Sequence, residues 1–200
     1  MKWFTSDLHF NHTNICGPNI SSWSRGYRDF DSVAGMNTAI LKSINDRVDR
    51  NDELWILGDF AFGDKTQIPA LRRMINCNNV HLVYGNHDQA IERNDGYQKL
   101  FSSVQYYKEL YISDRELKNG KRNRLRAILF HYSLRVWNKS HHGSVCLFGH
   151  SHNTLPAHGG RTMDIGWCAH RRPLSEYELY ERMINIPIVE VDHHNAQTAQ

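Results

Sequence analysis

The chain has 200 residues, of which 22% are charged and 40% are Ala, Val, Ile, Leu, Met, Phe, Trp, Tyr or Cys. That is ordinary globular composition, which excludes wholesale disorder, and no run of 18 apolar residues exists to span a membrane. A net charge of +3, with thirteen histidines counted neutral, is too mild to mark a nucleic-acid binder by charge alone. At this length a single domain over residues 1–191 is expected, with the polar residues 192–200 as a flexible tail. The first residues meet charge too early for a signal peptide. Cys16, Cys77, Cys146 and Cys168 form no CxxC pair, so reduced thiols and a soluble cytoplasmic protein are expected.

In chain order, Lys2 to Ser6 reads as a buried strand. Asp31 to Val48 reads as a helix, because Val33, Met36, Ile40, Leu41, Ile44 and Val48 recur at helical spacing behind an Asp31 cap. Glu53 to Leu57 is a second strand, Thr66 to Ile75 a helix with Pro69 in its first turn, and Val80 to Tyr84 a third strand. Val104 to Ile112 and Arg124 to Phe130 form a long hairpin about Asn119-Gly120. Ser144 to Phe148 and Thr162 to Ile165 are further strands. Ser175 to Met183 is a helix with the Ser175/Glu178 capping box, and Ile186 to Val191 a closing strand. A βαβαβ start followed by strand-rich sequence predicts an α/β sandwich of two packed sheets with helices outside.

The residues that end these strands carry the chemistry. The first strand runs into Asp7-Leu8-His9, the second into Gly58-Asp59, and the third into Gly85-Asn86-His87-Asp88. The strand at 127–130 ends on His131, and that at 145–148 on Gly149-His150-Ser151-His152. Carboxyl ends of strands are where α/β folds build sites, since loops there can be polar without disturbing the core. Asp, His and Asn donors without thiolate suit divalent Mn, Fe, Zn or Co, and seven are too many for one ion. Two ions sharing a carboxylate would use them all.

These five blocks, in this order over residues 7–152, resemble the calcineurin-like metallophosphoesterase superfamily, in particular its small bacterial and phage members. The resemblance implies a four-layer α/β/β/α sandwich. It implies one metal held by Asp7, His9, Asp59 and His152, and a second held by Asp59, Asn86, His131 and His150, with Asp59 as the bridge. Mn²⁺ is the favoured ion, with Fe, Zn, Ni and Co as the other candidates. Two such ions about 3.5 to 4 Å apart activate a bridging water or hydroxide for in-line attack on a phosphoester. His87 then acts as leaving-group acid, a role worth roughly 100- to 10,000-fold.

A phosphodiester or small nucleotide is the favoured substrate. A phosphomonoesterase or a nuclease on the same site is the alternative, and a catalytically dead scaffold of the same fold is the rival, which predicts missing ligands where none is missing. Nucleic acid is not otherwise indicated as a partner, and no membrane is. Where many relatives carry an aspartate three residues after the Gly-Asp aspartate, this chain has Phe62, so Asp64 or Asp88 is the candidate support for His87. His12, Arg25, Arg28 and Arg135 are candidate substrate contacts, Arg because its planar fork suits phosphate. The basic run at residues 121–126 reads as a solvated hairpin face. His141, His142, His158, His170, His193 and His194 read as surface residues, and Trp55 and Tyr84 as core packing.

Overall fold

The computed structural model describes residues 1–17, 19, 28–115, 120, 122–156 and 159–189. Through them the chain runs β1 (Lys2–Thr5), α1 (Val33–Asn45), β2 (Glu53–Ile56), α2 (Ile68–Met74), β3 (Asn79–Val83), α3 (Gln89–Glu92), α4 (Asp95–Gln98) and β4 (Ser103–Gln105). It continues through β5 (Tyr107–Ser113), β6 (Arg124–Phe130), β7 (Val145–Phe148), β8 (Thr162–Asp164), α5 (Trp167–His170), β9 (Leu174–Ser175) and α6 (Glu176–Ile184). Two sheets result, ordered β4-β3-β2-β1-β9 and β5-β6-β7-β8. β1 to β4 pair in parallel, as do β6, β7 and β8, while β9 and β5 run antiparallel at the edges.

Strands that are apolar on both faces need cover on both, and this decides the layering. On one face of the first sheet Leu54, Ile56, Val80 and Leu82 pack with Met36, Ile40 and Ile44 of α1 and Ile68 and Leu71 of α2. Their strand neighbours Phe4, Trp55, Leu57 and Val83 point the other way. They share a second core with Leu125, Ala127 and Leu129 of β6, Val145 and Leu147 of β7, and Leu179 and Met183 of α6. Shortening one of these side chains, as in Leu54→Ala, costs about 2–5 kcal/mol by the usual cavity penalty. The chain is therefore the α/β sandwich that its strand and helix order predicts.

The structure corrects several local expectations. Ser32, not Asp31, caps α1, because its hydroxyl accepts from the Gly35 amide at 3.0 Å. The arm expected from Val104 is cut at Tyr106. β4 before it pairs with β3, whereas β5 after it pairs with β6, so one residue carries the chain from sheet to sheet. Tyr107 to Ser113 and Arg124 to Phe130 do form the expected antiparallel pair, with Asn119 outside the described residues. Residues 186–189 are not a strand. Arg161 takes the Ile184 and Ile186 carbonyls, and β9 holds the place beside β1. The capping box at Ser175 forms as expected, Glu178 Oε2 accepting from the Ser175 amide at 2.8 Å.

Candidate metal centre

Parallel pairing does not stop where the strands do. Beyond β1 and β2 the two loops stay zipped, Asp7 N–H to Gly58 O at 3.0 Å, His9 N–H to Asp59 O at 2.9 Å and Phe10 N–H to Phe60 O at 3.1 Å. The Gly149 amide likewise donates to His131 O at 2.9 Å, joining the ends of β6 and β7. The backbone adopts left-handed angles at Asp7 (54°), His9 (50°), Asp59 (56°), His150 (62°) and His152 (47°). Such angles are uncommon for residues with a side chain and cost of order 1–3 kcal/mol each, so their concentration in one place marks a built site. They also explain how Asp-x-His and His-x-His, with the spacing that alternates faces in a strand, turn both members the same way.

The donors converge in two groups, Asp7 with His9 and His152, and Asp59 with His131 and His150. In the first, His9 Nε2 lies 3.3 Å from His152 Nε2 and 3.9 Å from Asp7 Oδ1, and His152 Nε2 lies 3.9 Å from the same oxygen. In the second, Asn86 Oδ1 lies 3.1 Å from His131 Nε2 and 3.0 Å from His150 Nδ1. Asp59 Oδ2 stands between the groups, 3.5 Å from His9 Nε2 and 3.6 Å from His131 Nε2. Donors about 2.1 Å from a shared ion are separated by about 3.0 to 3.4 Å, so the cluster is nearly metal-sized.

The charge state of the cluster gives an independent test. Burial, then Asp59, raises the Asp7 carboxyl well above the usual range, and burial raises Asp59. Burial lowers His9, His131 and His152, the last to about 4. Acids pushed toward neutrality beside histidines that refuse protons lack a common cation, and two divalent ions would satisfy both. The residues fit the metals that the sequence implied.

Around the donors lies a layer of supports, most of it invisible in the sequence. The Leu57 carbonyl, 2.7 Å from His131 Nδ1, holds the proton there and leaves Nε2 free for metal. Cys168 Sγ lies 3.2 Å from His152 Nδ1, and Arg28 Nε donates to the same sulfur at 3.3 Å. The His150 amide donates to both Asp7 carboxylate oxygens at 3.0 Å, and Asp164 Oδ2 accepts from the Asn153 amide at 2.9 Å. Two glycines let these loops meet. A Cβ on Gly85 would stand 2.2 Å from Asp59 Oδ1, and one on Gly149 1.9 Å from Ser6 Oγ and 2.4 Å from Asp7 Oδ2.

His87 lies beside the donor groups, its ring centroid 5.5 Å from that of His9 and 4.9 Å from that of Phe62, and its amide donates to Asp59 Oδ1 at 2.9 Å. Neither expected support reaches its ring. The Asp88 carboxylate is fully buried, accepts from the Asp59, Phe60 and Gly85 amides at 2.8 to 2.9 Å, and so ties the Asp59 loop to the Asn86 loop. Asp64 caps the 3-10 turn at Lys65–Gln67.

Arg28 is corrected from substrate contact to buried clamp. Its guanidinium donates to the Asp7 and Leu8 carbonyls and stacks 4.9 Å from the Trp167 centroid, which leaves it turned away from solvent. His12 is buried too. Its Nδ1 accepts from the Ile15 amide at 3.0 Å, and its ring packs 4.0 Å from that of Phe62 and 5.2 Å from that of His9. Arg135 is exposed and lines a separate cavity with Trp137 and Leu155. Arg25, Lys121, His158, His193 and His194 lie outside the described residues. His170, expected at the surface, is half-buried and its Nε2 lies 2.9 Å from the Asp164 carbonyl.

The model of the calcineurin-like phosphoesterase family matches residues 3–198. The chain belongs to that family. Membership and the two Asp/His groups together support a metal-dependent phosphoester hydrolase with a dinuclear divalent-metal site. The chain is 26% identical over 203 residues to the gene 66 protein of Mycobacterium phage L5, covering 92% of this chain and 94% of the relative. It is 30% identical over 89 residues to the gene 66 protein of Mycobacterium phage D29 and 31% identical over 96 residues to an uncharacterized protein of Methanocaldococcus jannaschii. Those two matches span 44% and 46% of this chain, and less than half of each relative, 40% and 48%. A solved protein of unknown function from Aquifex aeolicus shares the fold, with a TM-score of 0.59, 22% identity, and coverage of 91% of this chain and 98% of that one. No helix among the described residues is long and apolar enough to cross a membrane.

Proposed function

We infer that the protein hydrolyses a phosphodiester or a small nucleotide, using two divalent ions, Mn²⁺ favoured. The observation that carries this reading is Asp59 Oδ2, 3.5 and 3.6 Å from one histidine nitrogen of each donor group, where a shared carboxylate belongs. Asp7, His9, Asp59 and His152 would hold one ion, and Asp59, Asn86, His131 and His150 the other. When bound, such a pair supplies a water of lowered pKa and positive charge against the phosphate oxygens.

The protein's own groups do the rest. The left-handed loops and the Asp88 clamp hold the donors before substrate arrives, so little reorganisation is left to the reaction. His87 is half-buried at the open side of the cluster, where Asn86 and His150 are also accessible. There it can donate a proton to the departing alkoxide as the ester oxygen leaves phosphorus. Its ring is aligned by Phe62 and His9 rather than by a carboxylate. A scaffold with a dead site is disfavoured, because every donor position is filled and all seven converge.

The test is hydrolysis of bis-p-nitrophenyl phosphate against p-nitrophenyl phosphate after metal stripping and Mn²⁺ restoration. Metal-dependent turnover favouring the diester is expected, with activity lost in Asp59→Ala and Asn86→Ala. An unchanged rate in both variants would overturn the assignment.

A further inference from the structure

His87, Asn86, Phe62, Lys65 and Arg93 open onto one cavity of about 450 Å³ beside the donor cluster, and no carboxylate is among its described lining residues. Lys65 Nζ donates to the Ala61 carbonyl at 3.1 Å and sits 5.2 Å from the Phe62 ring centroid. An ammonium has three donors, so two remain for a ligand. Arg93 follows α3 on the opposite side of His87 in the chain and is exposed. Two cations lining one cavity with the apolar Phe62 and Ala90 suit an anion joined to a flat or apolar body.

We propose that this cavity receives the leaving group, and that the preferred leaving group carries a phosphate of its own, held between Lys65 and Arg93. The inference rests on the reading of His87 as leaving-group acid, since an acid must stand on the side from which the alkoxide departs. It narrows the substrate class to nucleotides or short oligonucleotides whose departing portion is phosphorylated, and sets aside esters of uncharged alcohols.

The test compares two probes on the Mn²⁺-loaded protein, the deoxydinucleotide d(ApA) and the same dinucleotide phosphorylated at both ends, following cleavage of the internal diester by chromatography. The wild type should favour the end-phosphorylated probe in kcat/KM by about tenfold or more, the scale of charge-assisted hydrogen bonds. Lys65→Gln and Arg93→Gln should each cut that ratio about three- to tenfold, and Arg93→Lys should keep most of it. Arg50→Gln, an equal charge loss in the turn before β2 at the opposite end of the sheet, should leave the ratio intact. Metal-dependent turnover of bis-p-nitrophenyl phosphate with a dinucleotide ratio near one, or equal effects of the Arg50 and Arg93 substitutions, overturns this inference alone. No metal-dependent turnover of any diester overturns the parent reading, and this one with it.

Discussion

The two ends of the first sheet bury the same kinds of polar residue and treat them in opposite ways. At the amino ends of the strands, Asp52 accepts from the N-terminal ammonium at 2.8 Å and from the Trp3 indole at 2.7 Å. Burial pushes its carboxyl up, but these bonds outweigh burial and hold it below its usual value. Arg72 nearby donates to the Leu100, Ile75, Cys77 and Asn78 carbonyls at 3.1 to 3.3 Å. At the carboxyl ends, Asp7 and Asp59 are raised, and their only ion-pair contacts among the described residues are with histidines that burial keeps neutral. One end is complete as folded. The other is one that cations would complete, and it stores strain in its backbone besides.

That contrast can be broken most directly by neutralising one aspartate at each end. Asp59→Asn should lose metal-dependent hydrolysis and metal-induced thermal stabilisation together, by more than the roughly 10- to 100-fold that removal of a supporting group costs. Without metal, the same variant should unfold at or above the wild-type temperature, because an uncompensated buried carboxylate is gone. Asp52→Asn should do the reverse, costing about 1–3 kcal/mol of stability while the shift on adding Mn²⁺ survives. Matched thermal melts with and without Mn²⁺ decide it, and an Asp59→Asn protein still stabilised by Mn²⁺ would remove the basis for the comparison.

Gly149→Ala is the next largest effect. The new methyl would meet Ser6 Oγ at 1.9 Å and Asp7 Oδ2 at 2.4 Å, so the His150 loop must move away from Asp7. Overpacking of this kind costs about 1–3 kcal/mol, and metal affinity by calorimetric titration should fall with it.

How much of this was readable beforehand divides along the same line. Strands with two apolar faces, the Ser175/Glu178 box and the polar residue at each strand end are local patterns, and a local pattern can be read from neighbours in sequence. Asp7 and His150 stand out as candidate donors that way. What could not be read is what joins them across the chain. Cys168 looked like a scattered thiol, yet it stands behind His152. Arg28 looked like a phosphate grip, yet its contacts are the carbonyls of Asp7 and Leu8. Asp88 sits in a recognisable block, but its bonds to Asp59 and Phe60 cross 29 and 28 positions and leave no periodic trace. The one hint was negative, since Phe62 where an acid is common meant that His87 had to be held by other means.

Cys168 offers a finer probe of the supporting layer. Cys168→Ala removes the group facing His152 Nδ1 and one acceptor of Arg28, without touching a donor atom. Metal affinity should weaken about 10- to 100-fold, with Cys168→Ser recovering part of it. Unchanged affinity in the alanine variant would reduce the sulfur to packing.

The smallest effect separates histidines that metal would engage from one that it would not. Burial lowers His81, on β3, as it lowers the donor histidines, but His81 stacks 4.2 Å from the Trp55 centroid and its Nδ1 lies 2.8 Å from Ser103 Oγ. A histidine whose folded pKa is depressed binds fewer protons folded than unfolded. Stability is therefore lost as pH falls through the unfolded value of about 6.5 toward the folded one. Without metal, His9, His131 and His152 share that loss. Saturating Mn²⁺ should enlarge their part, because a liganded imidazole nitrogen takes no proton in the folded state while the unfolded chain still does, so the loss runs on to lower pH until the metal is displaced. His81 contributes the same part in both states, so His81→Gln should flatten the acid limb of the stability curve by the same amount with and without Mn²⁺, which is a smaller fraction of the whole in the metal-loaded protein. Equal fractional flattening in both states would mean that Mn²⁺ adds nothing to the acid limb, and that the carboxyl-end histidines are not its ligands.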